Sequence, residues 1–201
     1  MSSDRIPSGF ALLVTVLGLV MSTGACTPRI ERAPARAASV DPSLFEMAFP
    51  LVDQDGRTRH LNEFAGEPFV ASMIYTNCKS VCPRIAADLK ALDAALPAAD
   101  RERVRFVLFS LDPERDTPEA LRGFAAAQGL DTKRWTLLAS SPDDMRTLAA
   151  VLDVRFRPDG KDEIAHTAMI AVCDSKGVVR HRQAGVQADP AGLVAAVHDV
   201  R

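Results

Sequence analysis

The chain has 201 residues, and its 24 basic and 26 acidic side chains leave a formal net charge of −2. The two signs are interspersed with no long basic stripe, so nucleic acid is not an expected partner. Four cysteines, Cys26, Cys78, Cys82 and Cys173, are too few for a disulfide scaffold and have to be read one at a time.

The N-terminus reads as an export leader. Arg5 supplies a positive start, residues 10–21 ("FALLVTVLGLVM") are a twelve-residue apolar core, and the small residues "STGAC" follow. Twelve residues are short for a membrane span, which needs about 20. Cys26 directly after "TGA" suggests a lipoprotein cleavage site, although the pattern usually wants a leucine where Thr23 stands. Lipidation of Cys26, simple cleavage and an uncleaved anchor stay open. All three place residues 44–201 outside the cytoplasm, on the periplasmic side of the inner membrane. Residues 27–43, rich in Pro, Ala and Arg, read as a flexible tether. With the leader gone, about 150 to 165 residues remain, enough for one domain with a core.

From Phe45 onward strand and helix signals alternate. "FPLVDQDGRTRHL" predicts two short extended pieces around a turn at Gly56. "EPFVASMIYT" is an apolar run of strand length that predicts a strand buried on both faces. Residues 83–96 place apolar side chains at helical spacing, with Pro83 expected at the first helical position and Cys82 at the N-cap. "VRFVLFSL" predicts a second buried strand, and "TPEALRGFAAAQG" a helix capped by Thr117 and ended near Gly129. A strand "RWTLLAS", a helix "SPDDMRTLAAVL", a hairpin "HTAMIAVCDSKGVVRH" turning at "DSKG" and a closing helix "DPAGLVAAVHDV" complete the chain. The pattern implies an α/β fold, a mixed sheet flanked by helices.

"YTNCKSVCPRI" then sits where a buried strand hands over to a helix, the usual place for chemistry in an open α/β sheet. Three readings of Cys78 and Cys82 are open there: a structural staple, a redox couple and half of a metal site. The staple is the weakest, because a three-residue loop removes little entropy from the unfolded chain. The positive end of the helix dipole favours thiolate, the form that attacks disulfides and binds metals.

"CKSVCP" after an apolar strand resembles the CxxxCP motif of the Sco/SenC proteins, thioredoxin-like copper-delivery factors for cytochrome c oxidase. Two further stretches carry the likeness in the right order: "FSLDPERDTPEAL" and "AHTAMIAVCDSKGVV". The resemblance covers residues 45–200. It implies a thioredoxin-like fold, a mononuclear copper site made of Cys78, Cys82 and His166, and subunit II of the oxidase, or another copper enzyme, as recipient. The donor chemistry agrees independently, since two thiolates and an imidazole are a soft set that suits Cu(I) and also holds Cu(II). The family often has an acidic residue before this histidine, where Ala165 stands, so Asp162 or Glu163 is a candidate to replace it. By resemblance Asp112 lies close to the metal loop and tunes either thiol reactivity or partner docking, while Asp116 reads as turn and helix-cap chemistry.

The remaining candidates read as structural. Cys173 is expected to be a small buried thiol, Met73, Met169, Trp135 and Tyr75 packing residues, and His60, His181 and His198 exposed. Tyr75 is close enough to the cysteine loop to shape it. Two functions besides copper delivery are weighed. A thiol–disulfide oxidoreductase using the Cys78–Cys82 disulfide is the alternative, since a dithiol at a helix N-terminus cycles to a disulfide. A peroxidase-like role lacks a clear Thr and Arg set around a reactive cysteine.

Overall fold

The structure is a computed structural model that describes residues 42–159, 163–187 and 189–200. The expected leader, Cys26, nearly all of the tether and Asp162 lie outside the described residues. Among the described residues no helix is long and apolar enough to cross a membrane.

The first two strands, β1 (Leu51–Asp53) and β2 (Thr58–Arg59), form the expected hairpin turning at Gly56. The apolar run becomes β3 (Phe69–Ile74), buried at every position. It leads into α1 (Val81–Ala95), and after the short α2 (Ala98–Arg103) the second buried run forms β4 (Arg105–Ser110). Next come α3 (Pro118–Gln128), β5 (Trp135–Ala139) and α4 (Pro142–Val151). Thr117 and Ser141 accept backbone N–H groups at the starts of α3 and α4, each followed by a proline, and Gly129 ends α3 in the left-handed conformation. Two short strands follow, β6 (Phe156–Pro158) and β7 (Ile164–His166), then β8 (Met169–Cys173), β9 (Val179–Ala184) and α5 (Pro190–Asp199).

Seven strands make one mixed sheet in the order β2-β1-β5-β4-β3-β8-β9. The centre, β3, β4 and β5, is parallel, while β1 joins β5 and β8 joins β3 antiparallel. This is the α/β class expected, with strands buried on both faces in the middle because helices cover them. Trp135 stacks on Phe106 with ring centroids 4.3 Å apart, and Met73 and Met169 are buried, so all three are core residues. Gly177 closes the β8–β9 turn at φ 76°, and a Cβ there would come within 2.8 Å of the Phe45 ring, so both conformation and space require glycine.

One expected element divides in two. "HTAMIAVC" reads as a single strand opened by His166, but β8 begins only at Met169. His166 instead ends β7, which pairs antiparallel with β6 in a small separate ribbon, Phe156 opposite His166. The break is backbone chemistry: the Thr167 N–H donates to the Arg155 carbonyl, closing the ribbon, before the chain enters the main sheet.

The register of β3 with β8 positions the site. Ser72 lies opposite Ile170, and its hydroxyl donates to the Met169 carbonyl at 2.6 Å. The start of β8 is thereby fixed beside the end of β3, at the edge where the parallel strands end. Phe69 anchors the other end of β3, fully buried against the rings of Phe45 and Phe64. Phe69→Ala is expected to cost about 3–5 kcal/mol of stability, read as a lower urea midpoint, with no loss if the ring is not core.

Candidate metal centre

The loop after β3 carries Cys78, and α1 carries Cys82 as its second residue. Ser80 is the N-cap and Pro83 the third residue, so the helix starts two residues before the expected point. Pro83 is still tolerated because the first turn's N–H groups have no partner within the helix. One of those groups, the Cys82 N–H, donates to the Cys78 sulfur at 3.2 Å. The Cys78 side chain thus does the capping that the Ser80 side chain does not. The Cys82 sulfur in turn accepts the Tyr75 N–H at 3.5 Å.

His166 arrives from the β6–β7 ribbon. Its Nε2 lies 3.6 Å from the Cys82 sulfur, and its Nδ1 lies 3.2 Å from the Thr167 carbonyl. A carbonyl only accepts, so Nδ1 carries the proton in that bond and Nε2 is left with its lone pair facing the sulfurs. The three donor atoms, two sulfurs and one nitrogen, all lie within 4.8 Å of one another. Both cysteines are buried and His166 is half-buried, so the cluster sits just under the surface. No other grouping of three or more such donors occurs among the described residues.

The two thiols are not equivalent. A hydrogen bond from the Cys82 thiol holds Cys78 far below the ordinary thiol range; burial opposes this, and the N–H groups of Cys82 and Ser80 add to it. The same bond pushes Cys82 up, and burial pushes it further. The pair therefore holds one proton, with thiolate at Cys78 and thiol at Cys82. Cys173 is fully buried within β8, opposite Phe69, and burial raises its thiol. None of the three forms a disulfide in the structure.

The two aspartates after β4 divide their work differently from the expected way. Asp112 is buried, but its carboxylate accepts from Arg115 Nε at 2.6 Å rather than from groups of the cysteine loop. Asp116, expected to be a helix cap, is 2% exposed and faces that loop. One carboxylate oxygen accepts the Thr76 N–H at 3.0 Å and the Thr76 hydroxyl at 2.6 Å, and the other accepts the Ser110 hydroxyl. Its charge adds to the upward push on Cys82, and burial raises Asp116 itself. The signal available in the sequence was the buried strand end on either side: a carboxylate there needs hydroxyl and amide donors, and Thr76 and Ser110 supply them. Ala165 and Glu163 are exposed. His60 and His198 are exposed as expected, with His198 Nδ1 3.3 Å from an Asp100 oxygen, while His181 is half-buried.

The family model described as SCO1/SenC matches residues 37–200. The chain belongs to the SCO1/SenC family. A SCO1 protein homologue of Bacillus subtilis is 31% identical over 154 residues, covering 75% of this chain and 79% of its own. A candidate copper-binding protein of Stutzerimonas stutzeri is 26% identical over 152 residues, covering 72% of this chain and 73% of its own. Among solved structures, that of BsSco, a member of the Sco family of cytochrome c oxidase assembly proteins in which a disulfide switch was identified, is 27% identical with a TM-score of 0.69. That match covers 80% of this chain and 94% of BsSco. The seven-stranded sheet is thus the thioredoxin-like sheet of the Sco proteins.

The thiol asymmetry is directly measurable. At about pH 6, where an ordinary thiol is protonated, iodoacetamide is expected to label Cys78 and leave Cys82 and Cys173 unmodified. Peptide mass spectrometry reads the sites; equal labelling of Cys78 and Cys82 would remove the one-proton arrangement.

Proposed function

We propose that this SCO1/SenC protein is a copper metallochaperone that binds one copper ion through Cys78, Cys82 and His166 and delivers it to the copper centre of a respiratory oxidase. The carrying observation is the convergence of the three donor atoms within 4.8 Å, brought from chain positions more than 80 residues apart. Two sulfurs and one imidazole nitrogen suit Cu(I) and also accept Cu(II). Cys78 meets the ion already as thiolate, Nε2 of His166 offers its lone pair, and Cys82 gives up its proton as its sulfur bonds the metal. Half-burial of His166 leaves one side of the site open to a partner's incoming ligands. Membership of a family linked to cytochrome c oxidase assembly supports oxidase subunit II, or another exported copper enzyme, as recipient.

The leader supports export, with the domain of residues 44–201 held on the periplasmic side of the inner membrane by residues 1–26, whether through lipid on Cys26 or through the leader itself, and residues 27–43 as tether.

A second reading rests on the dithiol at the start of α1, where the Cys82 N–H donates to the Cys78 sulfur. Cys78 thiolate attacks a partner's disulfide to form a mixed disulfide. Cys82, losing its proton, then attacks the Cys78 sulfur, so the Cys78–Cys82 disulfide forms and the partner leaves with two thiols. That chemistry does not require His166, and this separates the readings. His166→Ala is expected to weaken copper retention by more than the ~10–100-fold typical of losing an outer partner of a metal ligand, while the dithiol still cycles to its disulfide. Competition with a Cu(I) chelator measures the first and thiol titration after mild oxidation the second. Unchanged retention in His166→Ala would put the reductase reading ahead.

A further inference from the structure

His166 is brought to the sulfurs by a two-stranded ribbon outside the main sheet, and a two-stranded ribbon alone is marginally stable in water. What holds it over the dithiol is visible at Ile164, two residues before the ligand. In the β6–β7 ladder the Asp159 N–H donates to the Glu163 carbonyl and the Thr167 N–H to the Arg155 carbonyl. Antiparallel pairs alternate, so Ile164, opposite Pro158, falls in a pair without mutual hydrogen bonds, and its N–H points away from β6. That outward N–H donates to the Tyr75 hydroxyl at 3.2 Å.

Tyr75 is bound to the site on its other side as well. It follows the last residue of β3 and is 2% exposed, its own N–H donates to the Cys82 sulfur, and its carbonyl accepts the Cys78 N–H. Its ring meets the His166 imidazole edge-on with centroids 6.0 Å apart. Burial raises the phenol, the Ile164 bond opposes this, and a hydrogen bond to the Cys78 thiolate adds to it.

We infer that Tyr75 is a positioning residue for metal binding: its hydroxyl latches the β6–β7 ribbon through Ile164 and so holds His166 in reach of Cys78 and Cys82. The backbone of the same residue shapes the cysteine loop, so one residue links the loop and helix start that carry the thiols to the ribbon that carries the imidazole. The inference rests on the copper-binding reading above.

Tyr75→Phe removes the hydroxyl and keeps the ring, so the core packing stays. In the metal-free protein the Ile164 amide is expected to exchange with solvent faster in this variant, while amides of β3 and β8 keep their protection. Copper retention, read by chelator competition with wild-type protein as the reference, is expected to fall about tenfold. The same substitution in a His166→Ala background is expected to change retention by less than about twofold, because its effect runs through the missing imidazole. Nitrogen hyperfine splitting from His166 in the electron paramagnetic resonance of the Cu(II) form should weaken or become heterogeneous in Tyr75→Phe. An equal fall in both backgrounds would mean that Tyr75 acts through the sulfurs and would overturn the proposal. Unchanged Ile164 exchange, or unchanged retention and hyperfine splitting beside copper-binding wild type, would overturn it too. Wild-type protein that takes up no copper would instead defeat the function on which it rests, and the Ile164 exchange would then decide the latch alone.

Discussion

The antiparallel pairing of β8 with β3 is the constraint on which the site depends. Cys78 and Cys82 follow β3 directly, but His166 is 84 residues further from Cys82 along the chain and reaches the sulfurs only because the start of β8 lies beside the end of β3. A side chain's reach is a few ångströms, so a register slip of two residues would carry the imidazole out of range. The Ser72 hydroxyl bond to the Met169 carbonyl fixes that register at the point nearest the site.

Around that scaffold the chemistry is arranged by unpaired backbone donors. The first turn of α1 offers N–H groups with no partner in the helix, and the Cys78 sulfur takes one of them. The proton shared by the pair then stays on Cys82, the more deeply buried sulfur, beside the negative Asp116. Asp116 is a structural part of the loop as well as a charge, since it binds Thr76 from one side and Ser110 from the other and so joins the loops that end β3 and β4. A dithiol prepared in this way serves copper binding and disulfide exchange alike, and the imidazole is what distinguishes the two.

Much of this was legible in the residues. The three central strands, their helices, the cap at Thr117 and the turn at Gly177 follow from apolar runs, cap residues and glycine. The ligand set was implied by the family resemblance, because no local pattern ties His166 to residues 84 and 88 positions away. The misreadings share a cause, which is dependence on partners distant in sequence. His166 looked like the first residue of a strand because the ribbon made by β6 and β7 depends on pairing between three-residue segments too short to show a hydrophobic period. Asp112 and Asp116 look alike in "DPERDT", and only the fold shows that Arg115 engages the first while Thr76 and Ser110 engage the second. Tyr75 read as a packing residue, which it is, but its hydroxyl finds a donor 89 residues away.

X-ray absorption of the reduced protein loaded with Cu(I), together with the metal-to-protein ratio, tests the central claim most directly. The account predicts one copper per chain, with two sulfur scatterers and one imidazole nitrogen at bonding distance. A shell of sulfur alone, copper–copper scattering from a shared cluster, or less than stoichiometric copper would contradict a mononuclear site made by Cys78, Cys82 and His166.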